Sequence, residues 1–143
     1  MNAKVYCVLL FISLSAHADT KIKWVRNHTN KVLNIGSYTV GSCFIPQETI
    51  QPQKQGNPGI NRSEISLSGP LQAQGKLYLR TADGSRQLIV DDTQGNQGCC
   101  GAWRVTLTEG AITKSACLYP KWFRYDYVTI DIYENDFQIA QAQ

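Results

Sequence analysis

The residues best suited to chemistry are few. Of the two histidines, His17 lies in an N-terminal apolar leader and His28 in a polar turn next to Asn27. A Cys-His nucleophilic pair needs a thiolate beside an imidazole. Four cysteines remain beyond the leader, Cys43, Cys99, Cys100 and Cys117, and in an exported chain an even set oxidises in pairs. Oxidation removes both the nucleophile and the ligands of a zinc site. Asp91 and Asp92, with Gln94 and Asn96 nearby, offer oxygen donors that suit calcium but lack the alternating Asp spacing and distal Glu of an EF-hand. Glu48, Glu64, Asp91, Asp131 and Glu134 supply carboxylates, none of them paired by sequence context in the way glycoside hydrolysis requires. The expectation is a non-enzymatic protein with no catalytic residue, no metal site and no cofactor.

A binding function has a better-placed candidate. Tyr119, Trp122, Phe123, Tyr125 and Tyr127 are interleaved with Lys121 and Arg124. Amphipathic rings settle at headgroup depth in a bilayer while neighbouring cations meet phosphates, so this cluster suits a lipid surface or the face of a partner protein. The strand that follows, Tyr125 to Tyr133, points Val128, Ile130 and Ile132 one way. Tyr125, Tyr127, Thr129, Asp131 and Tyr133 then face the other way, as either an exposed recognition strip or a second buried face.

The elements that must position these residues read as strands. In GKLYLRTADGSRQLIV, Gly75 to Val90, two alternating runs meet at Asp83-Gly84, a pair suited to the type I′ turn of an antiparallel hairpin. Leu77 and Leu79 fall on one face, and Lys76, Tyr78 and Arg80 on the other. Ile22 and Trp24 share a face of a short strand; Lys31 to Val40 forms a second that bends at Gly36. Ile50 plugs one end of the core, and Pro52 to Gly59 is loop. Ile65 and Leu67 alternate, as do Trp103, Val105 and Leu107; Asp91 to Gly98 is a polar loop, and the residues after Phe137 form a frayed end. No segment shows helical periodicity, and turn signals recur at the spacing of a sandwich. The fold expected is all-β, a single-domain antiparallel β-sandwich with two disulfides. A bond between adjacent Cys99 and Cys100 would be strained, so each is expected to staple a different element, one joining Cys43 and the other Cys117.

Lys4, the apolar run Val5 to Leu14 and Ala16-His17-Ala18 form a secretory signal peptide over residues 1–18, cut after Ala18. Residues 19–143 form the β-sandwich domain, secreted to an extracellular or periplasmic space. No later run reaches the roughly 20 apolar residues of a transmembrane helix. A net charge of +3 is too small for non-specific nucleic-acid binding. Asn27-His28-Thr29 and Asn61-Arg62-Ser63 match the N-glycosylation triplet.

The order of KWVRNHTNKVL, the glycine turn at Gly41, TIQP at Thr49 to Pro52, the Ser66-Ser68-Gly69 segment, GKLYLRTADG, the Gly95-Asn96 loop and the late aromatic strand resembles the aegerolysin and actinoporin-like group of β-sandwich membrane-binding proteins. The resemblance implies binding to membrane lipid headgroups, a role as a cytolysin or cytolysin component, an oligomer on the membrane, and lipid contact through Lys121 to Tyr127. The chain carries no amphipathic N-terminal helix of the kind actinoporins insert. The alternative is a secreted protein-binding module, an inhibitor, effector or adhesion domain, docking on a surface protein.

Overall fold

The alternation of apolar and polar residues gives eleven strands, among residues that the computed structural model describes over 20–39, 41–67, 76–93, 103–118 and 126–142. They are β1 (Thr20–Asn27), β2 (Leu33–Tyr38), β3 (Phe44–Ile50), β4 (Gly59–Ile60), β5 (Ile65–Ser66), β6 (Lys76–Thr81), β7 (Gln87–Thr93), β8 (Trp103–Glu109), β9 (Ile112–Leu118), β10 (Asp126–Ile132) and β11 (Phe137–Gln141). One sheet runs β11-β10-β1-β4, with β5 also on β1; the other runs β3-β2-β6-β7-β8-β9. The described residues contain no helix, so none is long and apolar enough to cross a membrane.

The two sheets share one core. Ile22, Val25, Val128, Ile130, Ile132 and Phe137 face it from the first sheet, and Leu33, Ile35, Leu77, Leu79, Leu88, Val90, Val105 and Leu107 from the second. Each such side chain contributes roughly 1.5–3 kcal/mol by leaving water. The period-two reading holds for Leu77 and Leu79, for Ile65 and Leu67, for Val105 and Leu107 and for Val128, Ile130 and Ile132, all buried.

Several expectations are corrected. The first sheet is mixed rather than antiparallel, because β1 and β10 pair in parallel from Thr20↔Asp126 to Asn27↔Ile132. The β6–β7 connection is not a two-residue type I′ turn. Only Gly84 has positive φ, 71°, and Gly84 N donates to Thr81 O at 2.8 Å inside a loop closed by Thr81 N to Arg86 O at 3.0 Å. The type I′ conformation appears instead in the segment read as plain loop. Gln55 (φ 52°) and Gly56 (φ 78°) form the tip between Lys54 and Asn57, which exchange backbone hydrogen bonds of 2.9 and 2.8 Å. Asp91 and Asp92 belong to β7 and not to a loop, and the residues after Phe137 are not frayed: they pair with β10 as an edge strand.

In β1, Ile22 and Trp24 do not share a face. The ladder steps from Ile22↔Val128 directly to Trp24↔Thr129, leaving Lys23 as the extra residue of a β-bulge. The parity therefore inverts: Ile22 and Val25 are fully buried while Trp24 is 41% exposed. A second shift lies between Ile35 and Gly36, at the bend expected there. A Cβ on Gly36 would sit 2.1 Å from Ile45 O, so only glycine allows β3 to approach.

The two-disulfide scheme is corrected as well. Cys43 is an exposed free thiol, held in the β2–β3 turn where Thr39 N donates to its carbonyl at 2.8 Å. That turn borders the β3 edge of the six-stranded sheet, whereas Cys117 is on β9 at the opposite edge. Cys117 is disulfide-bonded to a partner outside the described residues, where Cys99 and Cys100 also lie. Alkylation of the unreduced protein followed by peptide mapping should label Cys43 and leave Cys117 unlabelled. Label on Cys117, or none on Cys43, would contradict this assignment.

Candidate functional site

Of the residues expected to contact lipid, Tyr119, Lys121, Trp122, Phe123, Arg124 and Tyr125 lie outside the described residues. Tyr127 is described and half-buried. Its hydroxyl donates to Glu64 Oε2 at 3.2 Å, and Lys23 Nζ stands 5.6 Å from its ring centroid. Of the two readings of the β10 strip, its described residues fit the packed face rather than the exposed strip: Tyr127, Thr129 and Tyr133 are half-buried. Asp131 is only 9% exposed, and Tyr133 stacks on the His28 ring with centroids 4.4 Å apart and planes 14° from parallel.

His28 is thereby brought to a carboxylate. Its Nε2 lies 2.7 Å from Asp131 Oδ1, and Arg26 donates to Asp131 Oδ2, also at 2.7 Å. That hydrogen bond raises the Arg26 pKa further above its ordinary value, against the opposing effect of burial. A histidine oriented by a carboxylate is the base half of a nucleophilic site. Among the described residues, however, no hydroxyl or thiol is hydrogen-bonded to His28, and Arg26 and Tyr133 occupy the remaining sides of the pair. The arrangement ties β1 to β10 across their parallel register. No cluster of three His, Cys, Asp or Glu side chains suited to a metal occurs among the described residues.

Two clefts remain. The first, about 390 Å³, is lined by Lys31, Thr81, Ser85, Arg86, Glu109 and Glu134 among others. Its charged groups are spent on holding the sandwich end together. Arg86 donates to Glu109 Oε1 and Oε2 at 2.6 and 2.9 Å, to the carbonyl of Tyr133, and to Asp136 O at 3.1 Å. Lys31 is 2.8 Å from both Asp83 Oδ2 and Ser85 Oγ.

The second cleft, about 750 Å³, is a groove at the corner where β3 and β4, the edges of the two sheets, come together. A Cβ on Gly59 would sit 1.7 Å from Gln51 O, so glycine permits the junction. The bulge turns Trp24 into this groove; β4 adds Ile60, 45% exposed. Pro52 and Pro58 line it beside Gln51, Gln55 and Asn57, whose exposed side chains take no hydrogen-bond partner among the described residues. The wall formed by residues 51–58 is rigid. The type I′ tip closes it, Gln53 N donates to Thr29 O at 3.0 Å, and Asn27 Nδ2 donates to Gln51 O at 3.1 Å.

Asn61 fixes the opposite wall. Its side chain is fully buried, with Oδ1 accepting the N–H of Val25 just after the bulge and Nδ2 donating to Ser63 O at 2.6 Å. Asn27 is equally buried, and its Oδ1 accepts from Thr29 N at 3.0 Å. Both glycosylation triplets therefore present an amide that the fold already uses. Trp24, Ile60 and the loop amides escaped the sequence reading; the available signal was that Ile22 and Val25, both strongly apolar, cannot share a face without an extra residue.

No protein-family model, curated protein or solved structure matches the chain.

Two surface ion pairs, Lys31–Asp83 at the mouth of the first cleft and Lys114–Asp136, carry a pH signature. The Lys31 ammonium, aided by Ser85, holds the Asp83 carboxyl far below the usual carboxylate range, and Lys114, aided by the Phe137 N–H, lowers Asp136. Groups depressed in the folded state contribute stability that is complete above the unfolded pKa of about 3.9 and is lost as pH falls through the folded values. The melting temperature should therefore drop on acidification below about pH 4, and the Asp83→Asn/Asp136→Asn double variant should melt lower at neutral pH with a flatter acid limb. An acid limb identical to that of the wild type would contradict the assignment.

Proposed function

We propose that this chain is an exported, non-enzymatic β-sandwich that binds membrane lipid headgroups or another cell-surface ligand, acting as a cytolysin or cytolysin component. The single observation that carries the binding role is the apolar patch that Trp24 shares with Ile60. Trp24, 41% exposed, lines the same groove as Ile60, 45% exposed, so the two bring apolar surface to one concave site, and a shared patch rather than a single exposed residue is what points to a ligand. Lys54 and Arg62 add cations at the groove, a combination suited to an interface where rings and positive charges meet headgroups. The groove is preformed, so binding does not have to order the 51–58 wall first. The likeness to aegerolysin and actinoporin-like proteins supports the lipid side of the reading. Lys121 to Tyr127 is a second contact in this proposal.

Flotation with liposomes of phosphatidylcholine, alone or mixed with phosphatidylserine, sphingomyelin or a glycosphingolipid, tests the reading alongside binding to intact cells. The wild-type protein should associate with at least one of these surfaces. Trp24→Ala should weaken that association about ten-fold or more, as expected of a central aromatic contact, with an unchanged melting curve. Failure to bind every surface, or undiminished binding by Trp24→Ala, would reject the proposal.

A further inference from the structure

We infer that the Trp24 groove is a glycan-binding site, with a pyranose ring stacked on the indole and its hydroxyls held by the free amides of the 51–58 wall. The inference rests on the groove being the surface-docking site, and it names the ligand chemistry. A pyranose has an apolar face of C–H bonds and a rim of hydroxyls, each both donor and acceptor. The indole presents a negative π face to partly positive C–H groups, and Ile60, Pro52 and Pro58 extend the apolar floor. An amide carries a donor and an acceptor on one planar group, which matches a vicinal diol better than a carboxylate or an ammonium does. Three such amides, on Gln51, Gln55 and Asn57, line the groove without an intramolecular partner among the described residues.

Competing ligands fit less well. Lys54 and Arg62 lend the groove attraction for anionic surfaces, but a phosphate or nucleotide as the bound ligand calls for cations arranged for charge-assisted hydrogen bonds, and here they share the lining with Glu48, which accepts from Ser63 Oγ at 2.9 Å. Direct insertion into acyl chains calls for apolar groups at a convex tip, whereas Trp24 lines a concavity. That concavity, at about 750 Å³, falls within the roughly 300–1,000 Å³ of small-ligand clefts. The Gln55-Gly56 turn and the bonds to Thr29 and Asn27 fix the backbone that carries the amides before the ligand arrives, so binding has to order only the side chains.

The test is a printed array of neutral and sialylated oligosaccharides probed with the full-length mature protein, followed by titration of the best free oligosaccharide. Binding to at least one glycan is expected. Trp24→Ala should weaken it about ten-fold or more and Trp24→Phe, which keeps a stacking ring, by less than about three-fold. The Gln55→Ala/Asn57→Ala variant should lose affinity without losing thermal stability. The free oligosaccharide should also displace the protein from cells. Binding to glycosphingolipid liposomes but not to the same glycan on a glycoprotein would identify a lipid-borne source, and the converse a protein-borne one; either supports the inference. Surface binding that depends on Trp24 but occurs on glycan-free liposomes and is not displaced by sugar would overturn the glycan assignment while leaving the surface-binding reading intact. Absence of binding to both arrays and vesicles would overturn both, and glycan binding indifferent to Trp24 would overturn the site.

Discussion

One inserted residue decides what the first sheet shows to solvent. β1 is bordered by β10 on one side and by β4 and β5 on the other, so its backbone has little freedom to rotate. Lys23, unmatched in the β10 register, moves every following side chain of β1 to the opposite face. Val25 thereby completes the core, and Trp24 and Arg26 face outward. The bulge frees backbone groups that a buried strand cannot leave unpaired. The side chain of Asn61 takes the Val25 N–H, and the backbone N–H of Asn61 returns a bond to Val25 O at 3.2 Å. A polar side chain with no solvent exposure thus maintains the geometry that exposes an aromatic one.

The same economy recurs at the ends of the sandwich. Asn27, at the end of β1, reaches Lys31 O at 2.8 Å and Gln51 O at 3.1 Å, tying the strand to the loop that walls the groove. Arg86 bridges the sheets by joining Glu109 of β8 to carbonyls of the β10–β11 turn. Removing one partner from such a network leaves a buried donor or acceptor unmet, at about 1–3 kcal/mol each. These polar positions therefore hold the fold as firmly as individual core residues do. They also explain why the histidine and the first cleft are poor places for chemistry: their charged groups already face one another.

Much of the core was legible in the sequence because period-two alternation is a local property. Leu77 and Leu79, Val105 and Leu107, and Val128 through Ile132 needed no knowledge of their neighbours. The binding groove was not legible, for three physical reasons. A bulge is one residue in a ladder whose partner, β10, lies about a hundred positions away, so Ile22-Lys23-Trp24 looks like ordinary alternation. The parallel pairing of β1 with β10 is likewise a long-range choice with no local mark. Turn chemistry misled in both directions. Asp83-Gly84 has the composition of a type I′ turn but closes a longer loop in which only the glycine adopts positive φ, whereas Gln55-Gly56 adopts the type I′ conformation with a glutamine in the left-handed region. Between prolines and glycines, that segment read as unstructured connection, yet it supplies the groove's amides.

The central claim is that Asn61 holds the β1 bulge and, through it, the exposure of Trp24. Amide hydrogen exchange measured residue by residue in the wild type and in Asn61→Ala tests it most directly. The Val25 N–H should be protected in the wild type and lose its protection selectively in Asn61→Ala, while amides of the β6–β7 hairpin keep theirs. Unchanged protection of Val25 in the variant, or uniform loss across both sheets, would contradict the account.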